Sequence, residues 1–137
     1  MFRDCRNLTT FNSNLSSLEI AHGMYYSCYN LIEFTSDLSS LKDADAMFRE
    51  CRKLVSFNVD LSSLEDGYCM FEYCESLTNF NSDLSSLTNG NEMFWGCNLN
   101  KESVQNIAFT INKGNVENDV NRSTIHLGVD DAIISDA

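Results

Sequence analysis

Apolar residues recur along this chain in one fixed order: a methionine with an aromatic neighbour, a cysteine, then Leu-x-x-Phe and Leu-Ser-Ser-Leu. The methionines fall at Met1, Met24, Met47, Met70 and Met93, 23 residues apart. Thus "MFRECRKLVSFNVDLSSLEDGYC" at 47–69 is followed by "MFEYCESLTNFNSDLSSLTNGNE" at 70–92. Self-similarity at periods of ~20–50 residues marks a repeat array, so the repeat is read before anything else. The constant columns are apolar or thiol: Cys5/Cys28/Cys51/Cys74/Cys97, Leu8/Leu31/Leu54/Leu77, Phe11/Phe34/Phe57/Phe80, Leu15/Leu38/Leu61/Leu84 and Leu18/Leu41/Leu64/Leu87. The changing columns, such as Arg6/Tyr29/Arg52/Glu75 and Arg3/Tyr26/Arg49/Glu72/Trp95, carry charges and aromatics. Constant columns predict a core, and changing columns predict a surface.

Leu-x-x-Phe reads as a short strand with its large side chains inward, able to bury that face only against the next unit. Leu-Ser-Ser-Leu supplies a second apolar pair across a turn, and Met-Phe/Tyr-x-x-Cys places three apolar groups within one helical or 3₁₀ turn. The chain has no proline. Its corners therefore depend on Asx, Ser and Gly chemistry, with Gly67 and Gly90 in one corner column and Gly23 close by. The fold class this gives is an α/β repeat solenoid, a coil of 23-residue units with short parallel strands and short helical turns, filling residues 1–99.

The register breaks after Cys97, where Leu99 comes two residues on in place of three. Val104, Ile107, Ala108 and Ile111 then fall at i, i+3, i+4 and i+7, one face of an amphipathic helix. The spacing predicts a capping helix over 100–112, started by Asn100 and ended by Gly114, that closes the apolar edge of the last full repeat. The cap region, 100–137, continues with a polar loop over 114–123. A strand near 124–129 carries Ile125, Leu127 and Val129, and a further helix start is capped by Asp130.

The string Met-Phe-x-x-Cys-x-x-Leu-x-x-Phe, with "SSLTNGNEMF" closing a repeat at 85–94, resembles the BspA-like leucine-rich repeats, including their mycoplasma-type surface-protein variant. The resemblance covers residues 1–99 and implies a leucine-rich-repeat-like right-handed coil. One element departs from the family pattern: the usual Ile/Leu-Pro after the strand is replaced by Asn/Asp-Leu-Ser-Ser-Leu. Membership implies a non-enzymatic binding scaffold of the kind found on bacterial surfaces, in parasitic protists and in phage-encoded proteins. It names no ligand.

At 137 residues and 43% hydrophobic content, the chain is long enough for one elongated domain and too regular to be disordered. No stretch approaches the ~20 consecutive apolar residues of a membrane span, so this segment inserts in no membrane. The formal charge of −11 and nine scattered Lys and Arg argue against nucleic acid and anionic surfaces as partners. Met1 stands in register with the repeat methionines, which predicts a piece of a longer protein.

Five of the six cysteines share one column. Parallel Cβ vectors from stacked strands disfavour disulfides, and a 23-residue spacing lacks the paired knuckles of a zinc site. The column is read as a buried ladder of reduced thiols, with Cys69, in the Gly23/Ala46 column, another small inward residue. Asp37, Asp60 and Asp83, with Asn14, precede Leu-Ser-Ser-Leu. Each can accept from the amides ahead in an Asx-turn, or neighbouring carboxylates can share a cation such as Ca²⁺. His22 and His126 have no partner visible in the sequence, so both are read as solvated and the chain as no enzyme.

The expected function is a scaffold for protein or glycan binding, without cofactors, serving adhesion or recognition. The alternative is a stalk or fibre segment of a larger assembly such as a phage tail protein. Thr9/Ile32/Val55/Thr78 and Asn12/Thr35/Asn58/Asn81 would line the outer side of the strand column. Tyr26, Tyr29, Tyr68, Tyr73 and Trp95 are the candidate ligand-binding residues, since Tyr and Trp carry binding energy at interfaces. The compartment this implies is a cell surface, the extracellular space or a virion.

Overall fold

The structure, a computed structural model, describes the backbone of residues 1–118 and the side chains through Lys113. Its strands are β1 (Thr10–Phe11), β2 (Glu33–Phe34), β3 (Ser56–Phe57) and β4 (Asn79–Phe80), and its helix is α1 (Lys101–Asn118). β1 pairs with β2 and β3 with β4, both parallel, with Phe11 opposite Phe34 and Phe57 opposite Phe80. A second column of single parallel bridges runs Ile20, Asp43, Asp66, Asn89. In every strand the first residue faces out and the phenylalanine faces in, so two residues suffice to reverse the side.

The interior is two ladders of rings. Phe2, Tyr25, Phe48, Phe71 and Phe94 stack near-parallel at centroid distances of 5.4, 5.4, 5.5 and 5.7 Å. The strand phenylalanines form the second ladder, and the two meet edge-to-face, as at Phe34 and Phe48, 4.8 Å apart. Leu31, Leu54 and Leu77, Leu38, Leu61 and Leu84, and Leu41, Leu64 and Leu87 are fully buried around them. Each contributes roughly 1.5–3 kcal/mol by leaving water.

The Met-Phe/Tyr-x-x-Cys segments keep three-residue bonds of the expected helical or 3₁₀ turn but run as a chain of separate turns. The N–H groups of Gly23, Tyr25 and Ser27 donate to the next repeat's Asp45, Met47 and Arg49 carbonyls at 2.8, 2.8 and 2.9 Å. Those of Met24, Tyr26 and Cys28 instead donate three residues back, to Ala21, Gly23 and Tyr25. A helix would turn all six inward. Two left-handed positions per repeat prevent it. Asp4, Ser27, Glu50, Tyr73 and Gly96 have φ of 59°, 59°, 62°, 59° and 78°, and Gly23, Ala46, Cys69 and Glu92 have 54°, 52°, 51° and 56°. Each non-glycine residue there costs about 1–2 kcal/mol, which inter-repeat hydrogen bonding must offset. The Cys69 column is thus fixed by its backbone, and it carries a glutamate in the next repeat. Gly67 is explained by space: a Cβ there would meet Met93 Sδ at 3.0 Å.

α1 also corrects an expectation. Asn100 starts it, its Oδ1 accepting from the Ser103 N–H at 2.9 Å. The helix then runs through Gly114 to Asn118, beyond the expected end at 112. A glycine inside a helix weakens it by ~1 kcal/mol without ending it. Val104 and Ile107 are buried, and Ile111 packs partly against the core. The expected strand near 124–129, the Asp130 cap and His126 lie outside the described residues.

Candidate functional site

Stacking sets residues 23 apart in one column, and neighbouring strands of a sheet lie ~4.8 Å apart. The Arg3 column therefore alternates cation and ring. Arg3 lies 4.5 Å and Arg49 5.6 Å from the Tyr26 centroid, from the repeats before and after it. Tyr29 is held likewise by Arg6 at 5.6 Å and Arg52 at 5.1 Å. Glu50 ties the two columns together, accepting from the Tyr26 hydroxyl at 3.4 Å and from Arg52 at 3.2 Å. Both ring faces of Tyr26 and Tyr29 are occupied from within the chain.

Tyr68, Tyr73 and Trp95 differ, being 42%, 38% and 47% exposed. Among the described residues no guanidinium lies over their rings. The Tyr73 N–H donates to the Trp95 carbonyl at 2.7 Å. The Tyr73 ring rests on Gly96, where a Cβ would come within 2.7 Å of Cδ1. The Tyr73 backbone is thereby bonded to Trp95 and its ring lies against the residue that follows it. Tyr68 stands apart on the Cys69 side, its pKa raised chiefly by that thiol. The five aromatics chosen from the sequence therefore divide into a covered pair, an open pair and a single residue.

Carboxylates gather on the Cys69 side, where their charges also act on Tyr68. Cys69 Sγ and one carboxylate oxygen each of Glu72 and Glu92 lie within 4.8 Å of one another. Two carboxylates at that distance repel by ~3 kcal/mol at an effective dielectric of 20. Arg49 offsets part of this, its Nε 2.8 Å from the buried Glu72 Oε2. Burial first, and then Glu72, push the Cys69 thiol up to about 11, so it holds its proton. With Glu72 already ion-paired and Cys69 protonated, the trio is an ion-pair network joined to a thiol.

The aspartate columns are engaged locally. Asp37, Asp60 and Asp83 accept from the amides of Ser39, Ser62 and Ser85 at 2.8, 2.8 and 2.7 Å. Asn14 does the same with Ser16 at 3.1 Å. The side-chain and amide bonds from Ser39 lower the Asp37 pKa. Stacking also gives His22 a partner that the sequence hides: its Nε2 lies 2.7 Å from Asp43 Oδ2. That bond raises its pKa most, burial lowers it, and the nearby Asp43, Asp45 and Asp66 charges raise it further.

The thiol column has a role beyond filling space. Cys28, Cys51, Cys74 and Cys97 donate S–H bonds to the carbonyls of Phe2, Tyr25, Phe48 and Phe71, one repeat back, at 3.0, 3.2, 3.1 and 3.1 Å. Only a small, apolar side chain with a donor fits there, and strict recurrence of Cys was the signal for it. On the strand side, Ile32 and Val55 stand 49% and 44% exposed, side by side in neighbouring repeats.

The family model described as BspA type Leucine rich repeat region (6 copies) matches residues 1–121. No curated protein matches the chain, and no solved structure does.

Proposed function

The chain belongs to the BspA-type leucine-rich repeat family, and from that premise we propose that it is a scaffold for protein or glycan binding, an adhesion or recognition module of a surface-exposed protein. Repeats of this family are protein-interaction modules and typically non-enzymatic. In this reading residues 1–99 coil as a right-handed solenoid of 23-residue units and residues 100–137 cap it. Among the described residues no helix is long and apolar enough to cross a membrane.

The observation that carries the reading is the open pair Tyr73 and Trp95. Two large rings stay exposed on adjoining segments of a chain that covers Tyr26 and Tyr29 with arginine. Exposed aromatics of this kind carry energy at interfaces. The test presents the immobilised chain to a panel of peptides and glycans and compares it with Trp95→Ala. The reading expects selective binders whose signal falls in the variant, and a panel bound equally by both proteins defeats it. The continuous ladder from Phe2 to Phe94 favours a second reading, a stiff stalk or fibre segment. A stalk tolerates Trp95→Ala and Tyr73→Ala in assembly and fails on Phe57→Ala.

A further inference from the structure

In the repeats that carry arginine, each tyrosine ring of these two columns lies between guanidinium groups. The Arg3 column then changes. After Arg49 it continues with Glu72 and ends on Trp95, an open indole, with the exposed Tyr73 ring against the following Gly96. The charge at this end is also of opposite sign. Glu72 and Glu92 converge within 4.8 Å, and Arg49 is the cation that Glu72 holds. Two carboxylates against one guanidinium leave a net negative charge at this end, on a chain of formal charge −11: Glu72 stands one repeat before Trp95 in its column, and the Glu92 carbonyl accepts the Trp95 N–H at 3.2 Å.

We infer that Trp95 and Tyr73 form a seat for a cationic side chain of a partner protein, an arginine or lysine in an exposed basic segment. The seat repeats between molecules the stacking that Arg3 and Arg49 make on Tyr26 within the chain. The inference rests on the binding-scaffold reading and adds the charge of the partner to it. A neutral sugar would also stack on an open indole, but it gains nothing from Glu72 and Glu92. An acidic segment is repelled by them. A cation gains on both counts, because an indole face attracts it through the ring quadrupole and the carboxylates through their charge.

The chain holds a single tryptophan, so Trp95 fluorescence reports on the seat directly. The experiment titrates the full chain with a short oligoarginine peptide, and separately with oligoglutamate, a neutral glycine-serine peptide and a neutral oligosaccharide. The expected result is a saturable fluorescence change with oligoarginine alone, weakened by salt. By calorimetry, Trp95→Ala and Tyr73→Ala each weaken oligoarginine binding roughly two- to thirtyfold, the span of cation–π contacts from exposed to desolvated sites. Trp95→Phe, which keeps a ring and guards against loss of the fold, retains most of the affinity. Tyr29→Ala leaves it unchanged, because both faces of that ring are already occupied.

Equal oligoarginine affinity in Trp95→Ala overturns the inference, since attraction would then be diffuse. Absence of any oligoarginine response overturns it as well. A neutral peptide or oligosaccharide that binds at Trp95 in place of oligoarginine overturns the cationic assignment and leaves the scaffold reading standing.

Discussion

The thiol of Cys51 donates to the backbone carbonyl of Tyr25 at 3.2 Å, and the same oxygen accepts the Cys28 N–H at 3.1 Å. One carbonyl thus binds its own turn and the turn of the next repeat. Cys51→Ala removes the bond between repeats and leaves a small void, so it is expected to cost about 1–2 kcal/mol in a denaturant melt. Serine is no rescue, because its shorter C–O bond reaches less far and brings a costlier buried polar atom. Burial also holds the thiols protonated, raising Cys74 well above its ordinary value and pushing Cys97 up to about 12. Thiol titration near neutral pH should be slow for Cys28, Cys51 and Cys74 in the native chain and complete once it unfolds. Fast native labelling of those three would contradict the ladder.

Tyr25 interrupts a column that is otherwise phenylalanine: Phe2, Phe48, Phe71 and Phe94. It is fully buried, and its hydroxyl has no hydrogen-bond partner in the structure. Burial raises its pKa above the ordinary tyrosine value. An unpaired buried hydroxyl costs ~1–3 kcal/mol, so Tyr25→Phe is expected to stabilise the chain by about 1 kcal/mol or more while keeping both stacking neighbours. A midpoint that falls in the variant would mean that the hydroxyl has a partner in solution.

His22 and Asp43 make stability depend weakly on pH. The folded pKa of His22 is raised above 6.5, chiefly by its bond to Asp43. A raised histidine pKa means the folded state holds the proton more tightly. The contribution is therefore complete below the unfolded value and is lost as pH climbs through the higher folded value. His22 is 57% exposed, so the pair is worth at most about 1 kcal/mol. The groups around it are Asp43, Asp45 and Asp66. Melts of the native chain and His22→Asn should converge as pH rises past that window; a gap that widens instead would reverse the assigned sign.

The core was legible in the sequence because packing demands residue type. Leu54 and Phe57 recur in column because any smaller side chain leaves a void between two neighbours. The left-handed positions were not legible, since Asp4, Ser27, Glu50 and Tyr73 share a backbone angle and no chemistry. Without that angle, Met-Phe-x-x-Cys reads as a helical turn. The candidate aromatics were legible as members of the changing columns, but not their division into covered and open rings. Whether Tyr26 or Trp95 meets an arginine depends on which residue stands one repeat away, a relation that stacking creates. His22 and Asp43 were hidden for the same reason.

Ser103 decides whether α1 can end the repeats. Register places it 23 residues after Phe80, in the position where Phe80 itself stands opposite Phe57. A further strand would satisfy the outer edge of β4, and the Ser103 hydroxyl takes over that task. It accepts from the Phe80 N–H at 2.8 Å and donates to the Thr78 carbonyl at 2.9 Å, itself buried. Asn100 N–H adds a bond to the same carbonyl at 2.9 Å, and Asn106 Nδ2 reaches the Ser82 carbonyl at 3.0 Å. Ser103→Ala leaves the buried Phe80 N–H without an acceptor and is expected to cost ~1–3 kcal/mol. Hydrogen exchange should rise first at Phe80, ahead of Phe57, because the edge opens locally before the stack does. Ser103→Thr, which keeps the hydroxyl, should restore most of the loss. A Ser103→Ala chain with unchanged melting and unchanged exchange at Phe80 would show that Val104 and Ile107 hold α1 in place by packing alone.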